Sequence, residues 1–422
     1  MTSEKIECRR AIEALRSGVP NRDAVRSLGC EQPTIEQKFR DQLKAAKEVA
    51  VEEIQSPGLL IGGDFGAGKS HLLEYLHHIA LEENFVCSKV VISKETPLHD
   101  PVKLYRSAIE SAMVPNKRGS ALTEIVTRLD PANDLYIKLD TWVHDPKSKL
   151  DSRLAATLFL YGRMGNDMEL RDRIISFWSG DPLGTGEIKK YLRERGEKAT
   201  YKIEKVKLRD LAIQRFQFIP RLMVAAGYSG WVLLIDEIEL IGRYSFLQRA
   251  KSYAELSRWM GRLEGTKFPG LTAVSAITTD FQAAILDPEG KGDIEGIPGK
   301  LRARASESDL LLASQSERGM RIIQREMVRL RTPDDTVVAQ THSKIRSVYA
   351  KAYDWEPPTE SSINGLVSTR MREYVKGWIT EWDLKRLDPK GHVDIVITEM
   401  KPDYTEDRNL QISSEEDHEG GL

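Results

Sequence analysis

The stretch Gly63-Asp64-Phe65-Gly66-Ala67-Gly68-Lys69-Ser70 decides how this chain is read. Its spacing, G-x-x-x-x-G-K-[ST], is that of a loop that cradles phosphates. The surroundings agree. Leu59-Leu60-Ile61 is a short apolar run after the turn signal Pro57-Gly58 and predicts a buried strand. Beyond the loop, Leu72, Leu73, Leu76, Ile79 and Ala80 recur at helical spacing. Strand, glycine loop and helix together let consecutive N–H groups wrap an anion, with the partial positive charge of a helix N-terminus behind them. Lys69 is expected to reach the β and γ phosphates of ATP, and the Ser70 hydroxyl to hold Mg2+. The candidate nucleotide contacts are Gly63, Gly66, Ala67, Gly68, Lys69, Ser70 and the adjoining His71.

Further along, Trp231-Val232-Leu233-Leu234-Ile235-Asp236-Glu237 is an apolar run ending in two carboxylates. Five consecutive apolar residues predict a strand buried on both faces of a parallel sheet, and ligands bind at the C-terminal edge of such sheets. Two ionised carboxylates there are costly without a cation. Asp236 is therefore expected beside Mg2+, and Glu237 as the general base that polarises the attacking water. A further strand over Gly270–Ile277 ends at Thr278 and Thr279, candidates to hydrogen-bond that water or the γ-phosphate. Arg302 and Arg304 precede Asp309-Leu310-Leu311-Leu312, read as the last strand, and are candidates to reach a neighbouring subunit's nucleotide. Arg370, at the start of a helix opened by Ser368 or Thr369, is a candidate to couple a lid to the γ-phosphate.

The rest of the chain arranges itself around these stretches. Residues 1–56 predict an N-terminal helical segment that closes over the base. Residues 57–98 and 227–314 form the nucleotide-binding core, with a second strand at Val86–Ile92. Residues 99–226 read as a helical insertion, with a cationic cluster running from Lys189 to Arg209 that offers either phosphate contacts or a solvated face. Residues 238–268 read as helical with Arg243 and Arg249 exposed, and residues 283–300 as loop. Residues 315–387 read as a helical lid, and 388–422 as an acidic flexible tail. The fold class is thus α/β, a phosphate-loop NTPase with a central parallel five-stranded sheet, a large helical insertion and a C-terminal helical lid. A chain of 422 residues with a net charge of -2 gives no global nucleic-acid signal, so any such site must be local. Cys8, Cys30 and Cys87 form no disulfide or metal pattern, and no run reaches the length of a membrane span. Together these predict a cytoplasmic protein.

The order of phosphate loop, Asp-Glu strand, polar strand end, Arg-x-Arg and Thr-Arg-x-Arg helix start resembles an AAA+ ATPase, the origin-recognition/initiator branch above all, over about residues 35–387. Three segments are more specific: Ala14-Leu15-Arg16-Ser17-Gly18-Val19-Pro20-Asn21, the loop extended from Gly62 to Tyr75, and Val91-Ile92-Ser93-Lys94-Glu95-Thr96-Pro97-Leu98. These resemble the ATP-binding proteins of BREX (bacteriophage exclusion) defence islands. The resemblance implies a homo-oligomeric bacterial ATPase acting with other defence proteins, often a helicase-like partner, on DNA. The chain departs from the initiator pattern in showing no winged-helix domain after the lid. Two other functions share the phosphate loop: a nucleotide-gated adaptor with little or no hydrolysis, and a small-molecule kinase, against which the lid and the Asp-Glu pair count.

Overall fold

The structure is a computed structural model that describes residues 3–18, 21–49, 55–117, 119–197, 200–263, 267–360, 371–389 and 403–410. Helices α1 (Ser3–Ser17), α2 (Arg22–Leu28) and α3 (Pro33–Val49) lead into strand β1 (Leu59–Gly62). Helix α4 (Lys69–Glu82) follows the glycine loop, and β2 (Val86–Val91) follows α4. Seven helices among the described residues fill the connection to the next strand: α5 (Pro101–Glu110), α6 (Ala121–Thr127), α7 (Asp134–His144), α8 (Ser152–Arg163), α9 (Met168–Ser179), α10 (Thr185–Glu194) and α11 (Leu208–Ala225). Then come β3 (Trp231–Asp236), α12 (Phe246–Trp259), β4 (Leu271–Ile277), α13 (Asp293–Arg304), α14 (Glu307–Arg325), β5 (Val328–Arg329), α15 (Asp335–Tyr353) and α16 (Met371–Leu387).

Among the described residues the sheet has five strands, all parallel, in the order β2-β3-β4-β1-β5. The strand period sorts its side chains to two faces. Trp231, Leu233 and Ile235 join one core with Leu271, Ala273 and the insertion helices. Val232 and Leu234 join the other, with Phe39 and Leu43 of α3 and Leu72, Leu73 and Leu76 of α4. Burial on both faces explains why β3 reads as a continuous apolar run. The insertion is the β2–β3 crossover itself: Tyr105 of α5 and Phe216 of α11 pack on Trp231 of the sheet, and the other insertion helices continue the same core outward. Helix starts follow local chemistry: the Asp100 carboxylate accepts from the N–H groups of Val102 and Lys103, with Pro101 at the first helical position.

A third core joins the two ends of the chain. Ala11 and Ile12 of α1 and Ala24 of α2 pack with Ile345 and Tyr349 of α15 and Trp378 and Trp382 of α16. The guanidinium of Arg16 donates to both oxygens of Asp383 (2.9 and 3.0 Å), tying α1 to α16.

Several expectations are corrected. Asp309–Leu312 is not a strand but part of α14, and Leu310 and Leu311 face solvent. Ser306 caps that helix by accepting from the Asp309 N–H (3.1 Å). The last strand among the described residues is β5, two residues long, and it pairs with Ile61 and Gly62. Of residues 283–300, read as loop, only 287–292 are non-helical: a π-helical turn over Gln282–Leu286 precedes them and α13, which carries Pro298 inside it, follows. Helix α14, expected to open the lid, packs through Ala313, Met320 and Ile323 into the sheet's core. Arg249 is buried, not exposed, and makes paired bonds to Asp293 (2.8 and 3.0 Å). Residues 403–410 belong to the expected flexible tail, yet they pack on the core: Leu410 is buried and the Asp407 N–H donates to the Arg243 carbonyl (3.1 Å).

Gly319 marks where α14 crosses α12, because a Cβ there would fall far inside the contact radius of the Tyr253 carbonyl oxygen. The obstacle is backbone, which cannot swing aside. Gly319→Ala is expected to lower stability by about 1–3 kcal/mol, as overpacking does; a urea midpoint equal to that of the wild type would refute the close approach.

Candidate nucleotide site

The glycine loop leaves the C-terminal end of β1 and turns into α4. Gly66 (φ 84°) and Gly68 (φ 102°) sit in the left-handed region that side-chain-bearing residues avoid. The Ala67 N–H donates to the Asp64 carbonyl (3.0 Å), closing the turn. A Cβ on Gly63 would press on the Lys69 Cγ and a Leu330 methyl, each 3.2 Å away. The first turn of α4 presents N–H groups that have no partner within the helix.

Lys69 is 7% exposed, so its ammonium must find partners inside the protein. It donates to the carbonyls of Gly63 (3.0 Å) and Asp64 (3.4 Å) and lies 3.5 Å from Oε1 of Glu239. Asp236 ends β3 in a buried position, and its Oδ1 accepts from the Glu237 N–H (3.0 Å). Glu237 adopts left-handed backbone (φ 62°), which turns the chain sharply out of the strand. Burial, then the neighbouring Asp236, push the Glu237 carboxyl above the ordinary range, against the pull of Lys69 and Arg372. Glu237 lines the same cavity as Lys69 and Ser70.

Strand β4 lies between β1 and β3, so its end stands between the loop and the acidic pair. Thr279 hydrogen-bonds Asp64 within the loop. Thr278 is buried and shares a hydrogen bond with the Tyr404 hydroxyl (2.7 Å). The Tyr404 hydroxyl also lies 3.0 Å from an Asp280 carboxylate oxygen. His71 lines the cavity, but its Nε2 faces the Gly29 carbonyl at 2.8 Å. Burial lowers the pKa of this imidazole, so the neutral ring ties α4 to the end of α2.

The remaining walls come from both ends of the chain. Leu28 and Cys30 stand on one side, Leu330, Pro333 and Val337 on another, and Met371 at the start of α16 on a third. Gln32 clamps the second wall, donating to the Arg331 carbonyl (3.0 Å) and accepting from its N–H (2.8 Å). The Arg372 N–H donates to the Gly66 carbonyl (3.4 Å), and its guanidinium lies 5.6 Å from the Phe65 ring centre. Arg370 lies outside the described residues. Arg302 and Arg304, at the end of α13, do not line the cavity. Arg302 pairs with Glu317 (2.8 Å), while Arg304 lies 3.9 Å from Asp309 and 5.6 Å from the Phe246 ring centre.

Three further residues at the site carry no clear signal in the sequence. Glu239, two residues past the acidic pair, is buried in a 3-10 turn over Ile238–Arg243, and no periodicity marks it. Tyr404 sits in a polar segment whose composition suggests a tail. Arg372 stands in the same Thr-Arg-x-Arg signal as Arg370, two residues on, and only the fold distinguishes them.

A parallel sheet, a glycine loop feeding a helix N-terminus, and a carboxylate beside the loop lysine make this an α/β protein whose architecture is consistent with the phosphate-loop class. The chain belongs to the family described as BREX system ATP-binding protein BrxC/D, whose sequence model matches residues 4–132 and 146–377. No curated protein and no solved structure matches it. No helix among the described residues is long and apolar enough to cross a membrane.

Burial raises the Glu239 carboxyl to about 7, with Lys69 pulling the other way. A carboxyl whose folded pKa lies above its unfolded value stabilises the fold at low pH, and that contribution is lost as pH rises toward 7. Unfolding free energy is therefore expected to fall between about pH 5 and pH 7.5, and Glu239→Gln, uncharged throughout, to flatten that slope. An unchanged slope in the variant would show that Glu239 does not carry it.

Proposed function

We propose that this BrxC/D-family protein is an AAA+ ATPase of a bacterial antiphage defence system, coupling Mg-ATP binding and hydrolysis to the remodelling or loading of a DNA-associated partner. One observation carries the reading: Lys69 lines one cavity with Glu237 and lies 3.5 Å from Glu239, across the long crossover that separates them in sequence. The family supplies ATP binding and the BREX setting. The strand order supports the AAA+ assignment, because it sets the polar end of β4 between the loop and the acidic pair.

The residues present fit a magnesium-bound triphosphate. A side chain at Gly63 would crowd the loop, and the helix N-terminus behind it favours negative charge. Oε2 of Glu239 is buried without a hydrogen-bond partner beside the Lys69 ammonium, the mark of a polar cavity built around more than its own side chains. Ser70 and Asp236 would hold the metal, with phosphate oxygens and water completing its shell. Bound there, magnesium would neutralise charge developing on the phosphates.

The chain's own groups account for the remaining steps. Lys69 leaves its loop carbonyls for the phosphates. Glu237, made more basic by burial and by Asp236, takes the proton from the attacking water. Thr278 orients that water or the γ-phosphate, and Tyr404 fixes the Thr278 hydroxyl. Arg372 joins the phosphate loop to α16 and so couples the lid to nucleotide state. Arg302 and Arg304, both about half exposed, serve a neighbouring copy in a homo-oligomer. On this reading the protein works in the cytoplasm with other defence proteins.

Glu237→Gln is expected to keep ATP affinity while turnover falls roughly 100-fold or more, the usual contribution of a general base. Unchanged turnover would refute the role of Glu237. Negligible turnover in the wild type at every protein concentration, with and without DNA, would favour the nucleotide-gated adaptor. If Arg302 or Arg304 acts in trans, turnover per chain rises steeply with protein concentration, and Arg304→Ala or Arg302→Ala removes that rise without weakening ATP binding.

A further inference from the structure

A second concavity lies between the helical insertion and the core. Its wall carries six cationic side chains against one carboxylate, Asp210. Lys147 and Lys149 come from the short 3-10 turn after α7, Arg209 and Arg221 from α11, Arg258 from the end of α12, and Lys267 from the approach to β4. The chain as a whole has a net charge of -2, and these positions come from well-separated segments, so the fold has gathered the charge into one place.

The arginines on its floor are built in. Glu255 is 1% exposed and holds two of them, Arg209 through Oε1 (2.7 Å) and Arg258 through Oε2 (2.9 Å). One carboxylate fixes two guanidinium groups, leaving a net positive charge in a defined geometry. Arg221 lies over the Trp142 ring, 3.9 Å from its centre. The lysine-bearing turn is fixed as well: the Asp151 N–H just after it donates to Gln214 of α11 (2.7 Å), and Lys149 adopts left-handed backbone (φ 53°). Lys147, Lys149 and Lys267 are exposed on the rim. A cationic surface with a fixed arginine floor and long lysine side chains at its edge matches a row of phosphates, which needs fixed forks at some positions and point charges at others.

The position of the groove separates it from the nucleotide site. Lys267 and Pro269 immediately precede β4, so the groove lies at the N-terminal edge of the sheet, whereas the phosphate loop leaves the C-terminal edge. Of the cationic cluster that runs in sequence from Lys189 to Arg209, only Arg209 takes part.

We propose that this groove binds the sugar-phosphate backbone of a nucleic acid, without reading its bases. The proposal extends the suggested association with DNA but does not require ATP hydrolysis. The test uses the full chain and measures fluorescence anisotropy of a labelled duplex of about 30 base pairs, and of the matching single strand, between about 50 and 200 mM salt. Wild-type protein should bind with a dissociation constant on the order of micromolar to 100 micromolar at physiological salt, insensitive to sequence. The combined variant Lys147→Gln, Lys149→Asn, Lys267→Gln should weaken binding about 10-fold or more at low salt. It should also reduce the salt slope on duplex by about 0.9 for each phosphate the groove no longer neutralises. A control that neutralises Lys189, Lys202 and Lys205, which lie outside the groove, should bind as the wild type does. Thermal midpoints and the affinity for a fluorescent ATP analogue should match the wild type in both variants, which separates failure here from failure of the nucleotide reading. The proposal is overturned if neither nucleic acid binds the wild type, if the groove variant keeps wild-type affinity and slope, or if both variants bind equally weakly. Binding of polyglutamate in place of nucleic acid would also overturn it, and would assign the groove to an acidic protein.

Discussion

The structure depends on one buried charge. Taking an ammonium out of water costs on the order of several kcal/mol unless it is paired and hydrogen-bonded. Lys69 is almost wholly withdrawn from solvent, so its surroundings must supply two loop carbonyls and a carboxylate. The carbonyls come with the turn of the glycine loop. The carboxylate does not: Glu239 lies beyond β3, a strand that is not even adjacent to β1 in the sheet. Holding Glu239 near Lys69 therefore requires β1, β4 and β3 to keep register, as they do through Leu60↔Ser275 and Ile235↔Ser275. The same constraint brings Glu237 to the cavity that the loop lines.

That constraint also explains why a long excursion between β2 and β3 is tolerated. A crossover joining parallel strands must leave one edge of the sheet and return to the other, and nothing in the geometry fixes how far it travels. Here the excursion buries its own apolar stripes on the face that Trp231, Leu233 and Ile235 present. The insertion is thus continuous with the core and does not disturb the C-terminal edge. It enlarges the opposite edge, where the cationic groove forms between α7, α11 and α12.

The parts of this site that sequence reveals are those with strong local rules. Glycines at fixed spacing, an apolar run closed by two acids, and helical periodicity after the loop each leave a pattern that tertiary context did not override. Where the pattern misleads, the causes are equally local. Leu310-Leu311-Leu312 imitates a buried strand, but Ser306 supplies a helix cap, and Leu310 and Leu311 lie outside on α14. The last strand among the described residues, Val328–Arg329, is too short to show any period. Pro298 and Gly299 suggest a loop, yet they fall within the span of α13. Tyr404 and Glu239 left no signal at all, because each owes its place to long-range packing: Tyr404 to Thr278 and Phe281, Glu239 to Lys69.

The two ends of the chain then complete what the sheet begins. Helices α1 and α2 share a core with α15 and α16, so the N-terminal and C-terminal walls of the cavity form one packed unit. That unit meets the candidate site through the His71 ring on the Gly29 carbonyl and the Arg372 N–H on the Gly66 carbonyl, among other contacts. The first joins α2 to the opening turn of α4, and the second joins α16 to the glycine loop. The same bonds tie α2 and α16 to the loop and its helix, while Tyr404 joins Thr278 to the segment that carries Glu406 and Asp407. On the proposed reading, coupling would need no long pathway, because the loop and its helix are bonded directly to α2 and α16.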